Sequence, residues 1–128
     1  MKELKETLTS CCYKGLIKRG DVFYASLGDG IGSEQQGVKM VIVLQNNTGN
    51  VYSSNTIVAV VTSKSKANLP THVSIKIEGK LDNVQTTVLL EQIKTISKLR
   101  LNYKVGYVDK YQMRNIDRAL KKSLSIST

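Results

Sequence analysis

Residues 41–63, VIVLQNNTGNVYSSNTIVAVVTS, decide the fold. Two runs inside this stretch, VIVL at 41–44 and IVAVV at 57–61, are apolar without interruption. They are also rich in β-branched side chains, which suit a pleated strand better than a helix. A strand with no polar alternate positions has both faces covered. In a small antiparallel protein that happens at the centre of a barrel, or where a second subunit packs on the sheet.

Other strands read outward from this pair: DVFYASL at 21–27, VKMVIVLQN at 38–46, HVSIKIE at 72–78, TTVLLEQI at 86–93 and a short one at VGYV, 105–108. Gly, Asn, Ser and Pro bound them, and the connections are polar. At the C-terminal end Asp109 precedes Gln112 by three residues, a capping pair. Met113, Ile116, Leu120 and Leu124 then share one helical face, opposite Lys110, Arg114, Arg118, Lys121 and Lys122. This predicts an amphipathic helix of about four turns docked on the sheet. Before the strands, Leu4, Leu8, Cys11, Cys12 and Leu16 recur at helical spacing and predict a short helix over 2–17. The expected organisation is a helical extension at 1–18 and one domain at 19–128. The fold class is mainly β with helices, an antiparallel β-barrel closed at one end by the terminal helix.

The chain of 128 residues is long enough to bury its own core. Six Tyr, one Phe and no Trp leave that core to Val, Ile and Leu. Cys11 and Cys12 are adjacent, so they neither close a loop nor match the spaced pairs that hold zinc. With His72 the single histidine, no metal site and no cofactor are expected. The glycines at 28, 30 and 32 precede a strand and lack a following GK[ST], so they make no phosphate loop. No apolar run reaches the ~18 residues of a membrane span, and MKELKETLTS alternates charges where a signal peptide is apolar. A soluble cytoplasmic protein is expected, with no membrane partner.

The net charge of +9 is uneven. Residues 1–20 carry five basic and two acidic side chains (+3), residues 21–93 five and six (−1), and residues 94–128 nine and two (+7). Basic flanks on a near-neutral core favour a polyanion or an acidic protein, although a solvated helix face carries the same charges. Neither helix belongs to a helix-turn-helix, which argues against a duplex-DNA regulator.

A series of blocks in one order carries more information: RGDVFYASL at 19–27, GSEQ at 32–35, GV at 37–38, VIVLQNN at 41–47, GN at 49–50, IVAVVTS at 57–63, LPTHV at 69–73 and VLLEQIKTI at 88–96. Together they resemble the MazF/PemK family of toxin endoribonucleases, from Arg19 to about Leu124. The resemblance implies an SH3-like barrel working as a homodimer, restrained by an acidic antitoxin, in a complex that binds operator DNA. It also implies metal-free cleavage of single-stranded mRNA. The ribose 2′-hydroxyl attacks the adjacent phosphorus and leaves a 2′,3′-cyclic phosphate and a 5′-hydroxyl.

The family uses chiefly an arginine after the GGV segment and a threonine ending the IVAAIT strand. The threonine position is Thr62, and the arginine position is Lys39. Lysine gives up the planar fork that grips two phosphate oxygens, but it keeps the charge and can transfer a proton. The resemblance further implies RNA contacts from Arg19, Ser33, Glu34, Gln35, Asn46, Leu69, Glu91 and Gln92. A catalytically impaired module binding RNA or antitoxin is the alternative, because of Lys39. Lys94 in place of the arginine of LLEQIRTI leaves the preferred RNA sequence open.

Overall fold

The computed structural model describes residues 13–28, 37–63, 69–79 and 85–127. In chain order the elements are β1 (Asp21–Ser26), β2 (Val38–Val43), α1 (Asn47–Tyr52), β3 (Asn55–Thr62), β4 (His72–Lys76), β5 (Glu78–Gly79), β6 (Gln85–Ser97), a 3-10 turn (Lys98–Arg100), β7 (Leu101–Tyr107) and α2 (Lys110–Leu124). All seven strands form one antiparallel sheet in the order β4-β6-β3-β2-β1-β7-β5.

The two apolar runs lie in β2 and β3, side by side at the middle of the sheet, and both their faces are buried. Even-numbered residues of β2 (Met40, Ile42) and odd-numbered residues of β3 (Ala59, Val61) enter an inner core cluster. Ile75, Ile77 and Val105, from the two edges of the sheet, meet in the same cluster, so it lies inside the curl. Val41, Val43, Val58 and Val60 point the other way, into an outer cluster with Phe23, Ala25, Leu27, Leu89 and Leu101. The same chain covers this outer face: Tyr13 and Ile17 pack on it, with the Tyr13 ring edge-on to Phe23 at 4.8 Å. No second subunit is needed to bury it.

Two sequence expectations need correction. The barrel is not closed by hydrogen bonds: β4 and β5 are the free edges of the ladder. Only Ile77 separates them in the chain, so the sheet coils until its edges converge there, bridged covalently rather than by strand pairing. Residues 13–17 are also not helical, and Leu16, assigned to the apolar stripe of an N-terminal helix, is 74 % exposed. Tyr13, outside that stripe, packs instead because its N–H donates to the Leu101 carbonyl at 2.8 Å. Residues 1–12, with the rest of that expected helix, lie outside the described residues.

The terminal helix buries Met113, Ile116 and Ala119 in the inner cluster. Its cap is half of the expected pair: the Asp109 carboxylate accepts from the Gln112 N–H at 2.8 Å. The Gln112 amide turns to β4 instead, accepting from the Lys76 N–H at 2.7 Å and donating to the Lys76 carbonyl at 3.0 Å. The exposed edge of β4 is thereby occupied, one way to protect an unpaired strand.

At the other edge, β5 approaches β7 so closely that a Cβ on Gly106 would run into the Glu78 carbonyl oxygen. Gly106→Ala is expected to detach β5 and cost about 1–3 kcal/mol, as overpacking does. Urea unfolding of the two proteins at constant m checks this.

Candidate active site

Lys39 is the second residue of β2, opposite Ala25 of β1. The hairpin beneath it is pinned by Leu27 N–H to the Gly37 carbonyl at 2.8 Å and Gly37 N–H to the Gly28 carbonyl at 2.9 Å. Gly37 takes a φ of +76°, a conformation that strains any residue with a Cβ. Strand geometry rather than a loop therefore fixes where the Lys39 backbone sits.

The β2–β3 register runs from Val43↔Val58 to Met40↔Val61, which puts Thr62 directly across from Lys39 one step further. Cross-strand neighbours of this kind have Cβ atoms about 5 Å apart. Thr62 is paired in turn with Thr87 of β6, and Thr87 with Ser74 of β4. Alternation places Lys39, Thr62 and Thr87 on the outer face, at the end of the apolar row Val41–Val60–Leu89. The result is a polar row across four adjacent strands, Lys39–Thr62–Thr87–Ser74, one cation followed by three hydroxyls. Among the described residues no carboxylate neutralises Lys39. Two further cations brace the hairpin base: Lys94 Nζ reaches the Leu27 carbonyl at 3.5 Å, and Arg100 donates to the Ser26 carbonyl at 3.1 Å.

The next row along β4 and β6 pairs His72 with Leu89. Beyond it the β3–β6 register jumps from Val60↔Leu89 to Ala59↔Ile93. Leu90, Glu91 and Gln92 are thus bulged out of the ladder, a local distortion that re-aims side chains. Glu91 swings onto β4: Oε1 accepts from the Thr71 hydroxyl at 3.1 Å and Oε2 lies 2.8 Å from His72 Nε2. The Leu69 N–H faces His72 Nδ1 at 3.5 Å, which assigns the neutral ring's proton to Nε2, donating to Glu91. His72 therefore orients a carboxylate, with both ring nitrogens engaged. Leu69, 46 % exposed, forms the apolar rim beside them.

Burial pushes the Glu91 carboxyl up, but hydrogen bonds from His72, its own backbone and Thr71, with the attraction of His72, outweigh it and hold the group below its ordinary 4.5. A depressed folded value means that this carboxylate's stabilisation is present above the unfolded pKa and lost as pH falls through the folded one. The stability gap between the native protein and Glu91→Gln should therefore be constant at neutral pH and shrink below pH 4.5. Denaturation at stepped pH measures it.

The other residues singled out from sequence fall in different places. Gln92 sits in the bulge beside Glu91. Ser33, Glu34 and Gln35 lie outside the described residues. Arg19 and Asn46 stand at the opposite end of the β1–β2 ladder from Lys39. Arg19 Nε donates to the Leu44 carbonyl at 2.8 Å, and its guanidinium is bound to Asp117 of α2. Asn46 caps α1, its side-chain oxygen accepting from the Gly49 N–H at 2.7 Å. Sequence reasoning passed over Thr71, Ser74, Thr87 and the orienting role of His72. The alternation of HVSIKIE, which puts His72 and Ser74 on one face, was the available signal.

Residues 18–124 match the family model described as the PemK-like, MazF-like toxin of type II toxin–antitoxin systems. The chain is 45 % identical over 112 residues to the endoribonuclease EndoA of Bacillus subtilis (strain 168), covering 87 % of this chain and 97 % of that protein. Among solved structures, a mycobacterial endoribonuclease in complex with its cognate antitoxin superposes with a TM-score of 0.72 at 24 % identity, covering 88 % of this chain and 98 % of the other. The MazF crystal structure from Deinococcus radiodurans gives 0.72 at 18 % identity, covering 88 % and 99 %.

Proposed function

As the chain belongs to the PemK-like, MazF-like toxin family of type II toxin–antitoxin systems and is an endoribonuclease, we propose that it cuts single-stranded mRNA by internal transphosphorylation without a metal ion. The observation that carries this reading is Lys39 beside Thr62 on one rigid face. An ammonium and a hydroxyl on adjacent strands form a clamp for the two non-bridging oxygens of one phosphate, where negative charge builds as the phosphorane forms.

In the proposed step the ribose 2′-oxygen loses its proton to solvent and bonds to phosphorus. The P–O5′ bond breaks, and the departing 5′-oxygen takes a proton from the Lys39 ammonium. The nucleophile belongs to the substrate, so DNA binds without being cut. EDTA is expected to leave cleavage intact, whereas a 2′-deoxy substitution at the cut site abolishes it.

Base recognition is assigned to the rim of this face. Glu91, held by His72 and Thr71, offers a fixed acceptor for a base amino group, with Gln92 and Leu69 beside it. Further readout is assigned to Ser33, Glu34 and Gln35, on the resemblance alone. Arg19 and Asn46 join only where the RNA continues to the far end of the sheet, since Asp117 and the α1 cap already engage them.

The protein is proposed to act as a cytoplasmic homodimer. Exposed Leu16 and Val51, which share a cleft, support a self-association surface, and sedimentation of the purified chain tests it. An acidic antitoxin is the proposed restraint, and its complex with the toxin the operator-binding species. Lys39 itself favours a second reading, a binder of RNA or antitoxin that no longer cuts. Cleavage appearing only in Lys39→Arg would establish that reading.

A further inference from the structure

The second feature the molecule offers a polyanion lies on α2, across the sheet from Lys39 and Thr62. Lys110, Arg114, Arg118, Lys121 and Lys122 are all exposed. None of them enters an ion pair among the described residues. The two nearby carboxylates are already engaged, Asp109 by the Gln112 N–H and Asp117 by Arg19. The helix dipole accounts for Lys121 and Lys122, which lie in the last turn. It opposes Lys110, because a cation in the first turn of a helix is unfavourable and that turn holds no acidic residue. Solubility needs no such placement.

The cations border two open clefts along one helix. One, of about 330 Å3, has Lys110, Met113, Arg114 and the Arg19-paired Asp117 on its helix side; the other, of about 650 Å3, has Arg118, Lys121, Lys122 and Ser125. Positions 110, 114, 118 and 122 rise by about 6 Å per step, roughly two nucleotides of a stacked strand at about 3.4 Å each. Tyr111, 72 % exposed, stands beside them as a ring on which a base can stack.

We infer that the outer face of α2 is a second, sequence-independent RNA-backbone site that holds substrate beyond the cleaved segment. It rests on the reading that RNA is the substrate. Because α2 packs on the inner cluster while Lys39 and Thr62 lie on the outer face, one strand must pass around the sheet to reach both. Only long RNA does so.

The test uses 2′-O-methyl poly(U), which this chemistry cannot cut, so that binding is read independently of nuclease activity. Affinity is measured against salt for the native chain and for the variant Arg114→Gln/Arg118→Gln/Lys121→Gln/Lys122→Gln. The variant should bind at least tenfold more weakly at 0.1 M salt, and its log–log salt slope should fall by about 0.7 per lost contact. The charge-preserving Arg114→Lys/Arg118→Lys protein should keep the native slope. Cleavage of a short RNA spanning only the cut site should be unchanged in the glutamine variant, while KM for long RNA rises. Unchanged poly(U) affinity and slope in the glutamine variant would overturn the inference. So would loss of polyglutamate binding with RNA binding intact, which would make this a surface for an acidic polypeptide. A native chain that binds poly(U) through α2 but cuts no RNA would remove only the nuclease reading.

Discussion

Lys39→Ala is expected to lower kcat on single-stranded RNA roughly 10²–10³-fold, equivalent to about 2.7–4 kcal/mol of transition-state stabilisation. The effect follows from placement. Lys39 is on the outer face beside Thr62, and no described carboxylate shares its charge. Removing it leaves the phosphorane with the hydroxyl row and no cation from that row. Stability should barely change, because Lys39 is half-buried near the end of its ladder, whereas Val41 and Val43 anchor the strand. Lys39→Arg restores a planar fork and keeps the clamp, so cleavage should persist but with a lowered kcat, because the proton delivered by the ammonium is lost. Its pH profile separates the two roles of the ammonium: a guanidinium clamps but cannot deliver a proton at ordinary pH, so a kcat deficit in Lys39→Arg would mark the lysine as the acid.

Phe23→Ala is expected to cost about 3–5 kcal/mol, a large part of the 5–15 kcal/mol that holds a domain together. Phe23 is fully buried at the heart of the outer cluster and supports the Tyr13 ring. That cluster is the floor on which the polar row rests. Truncation opens a cavity and also releases the segment that carries Tyr13 and Ile17. Urea denaturation should show the loss. Tyr13→Ala should cost less, and the double mutant less than the sum, since the two rings share one contact.

Much of this architecture was legible in sequence because it depends on local pattern. VIVL and IVAVV announced strands buried on both faces, and Met113, Ile116 and Leu120 announced the docked helix. Closure was not legible. The convergence of β4 and β5 at Ile77 depends on how far the whole sheet coils, which no window of residues encodes. β7 was foreshortened to VGYV because Tyr103 and Tyr107 face outward and leave few apolar residues to alternate. α1 was hidden in a polar stretch, where its stability comes from the Asn46 cap rather than from periodicity.

The candidate site divides similarly. The resemblance implied Lys39 and Thr62 as the catalytic pair, whereas their place side by side follows from the β2–β3 register. The Glu91–His72–Thr71 contacts arise from a bulge in β6, and VLLEQI carries no mark of one. Arg19 shows the opposite problem: a cation at a strand start invites an RNA contact, yet its partner Asp117 lies 98 positions away in the chain.

The chemistry of the ends left by cleavage tests the central claim most directly. The purified chain is incubated in EDTA with single-stranded RNAs of varied sequence, and the fragments are weighed by mass spectrometry. The account predicts 2′,3′-cyclic phosphate at each new 3′ end and a free hydroxyl at each new 5′ end. Fragments ending in 3′-hydroxyl and 5′-phosphate would contradict it, as would cleavage that stops when divalent ions are removed.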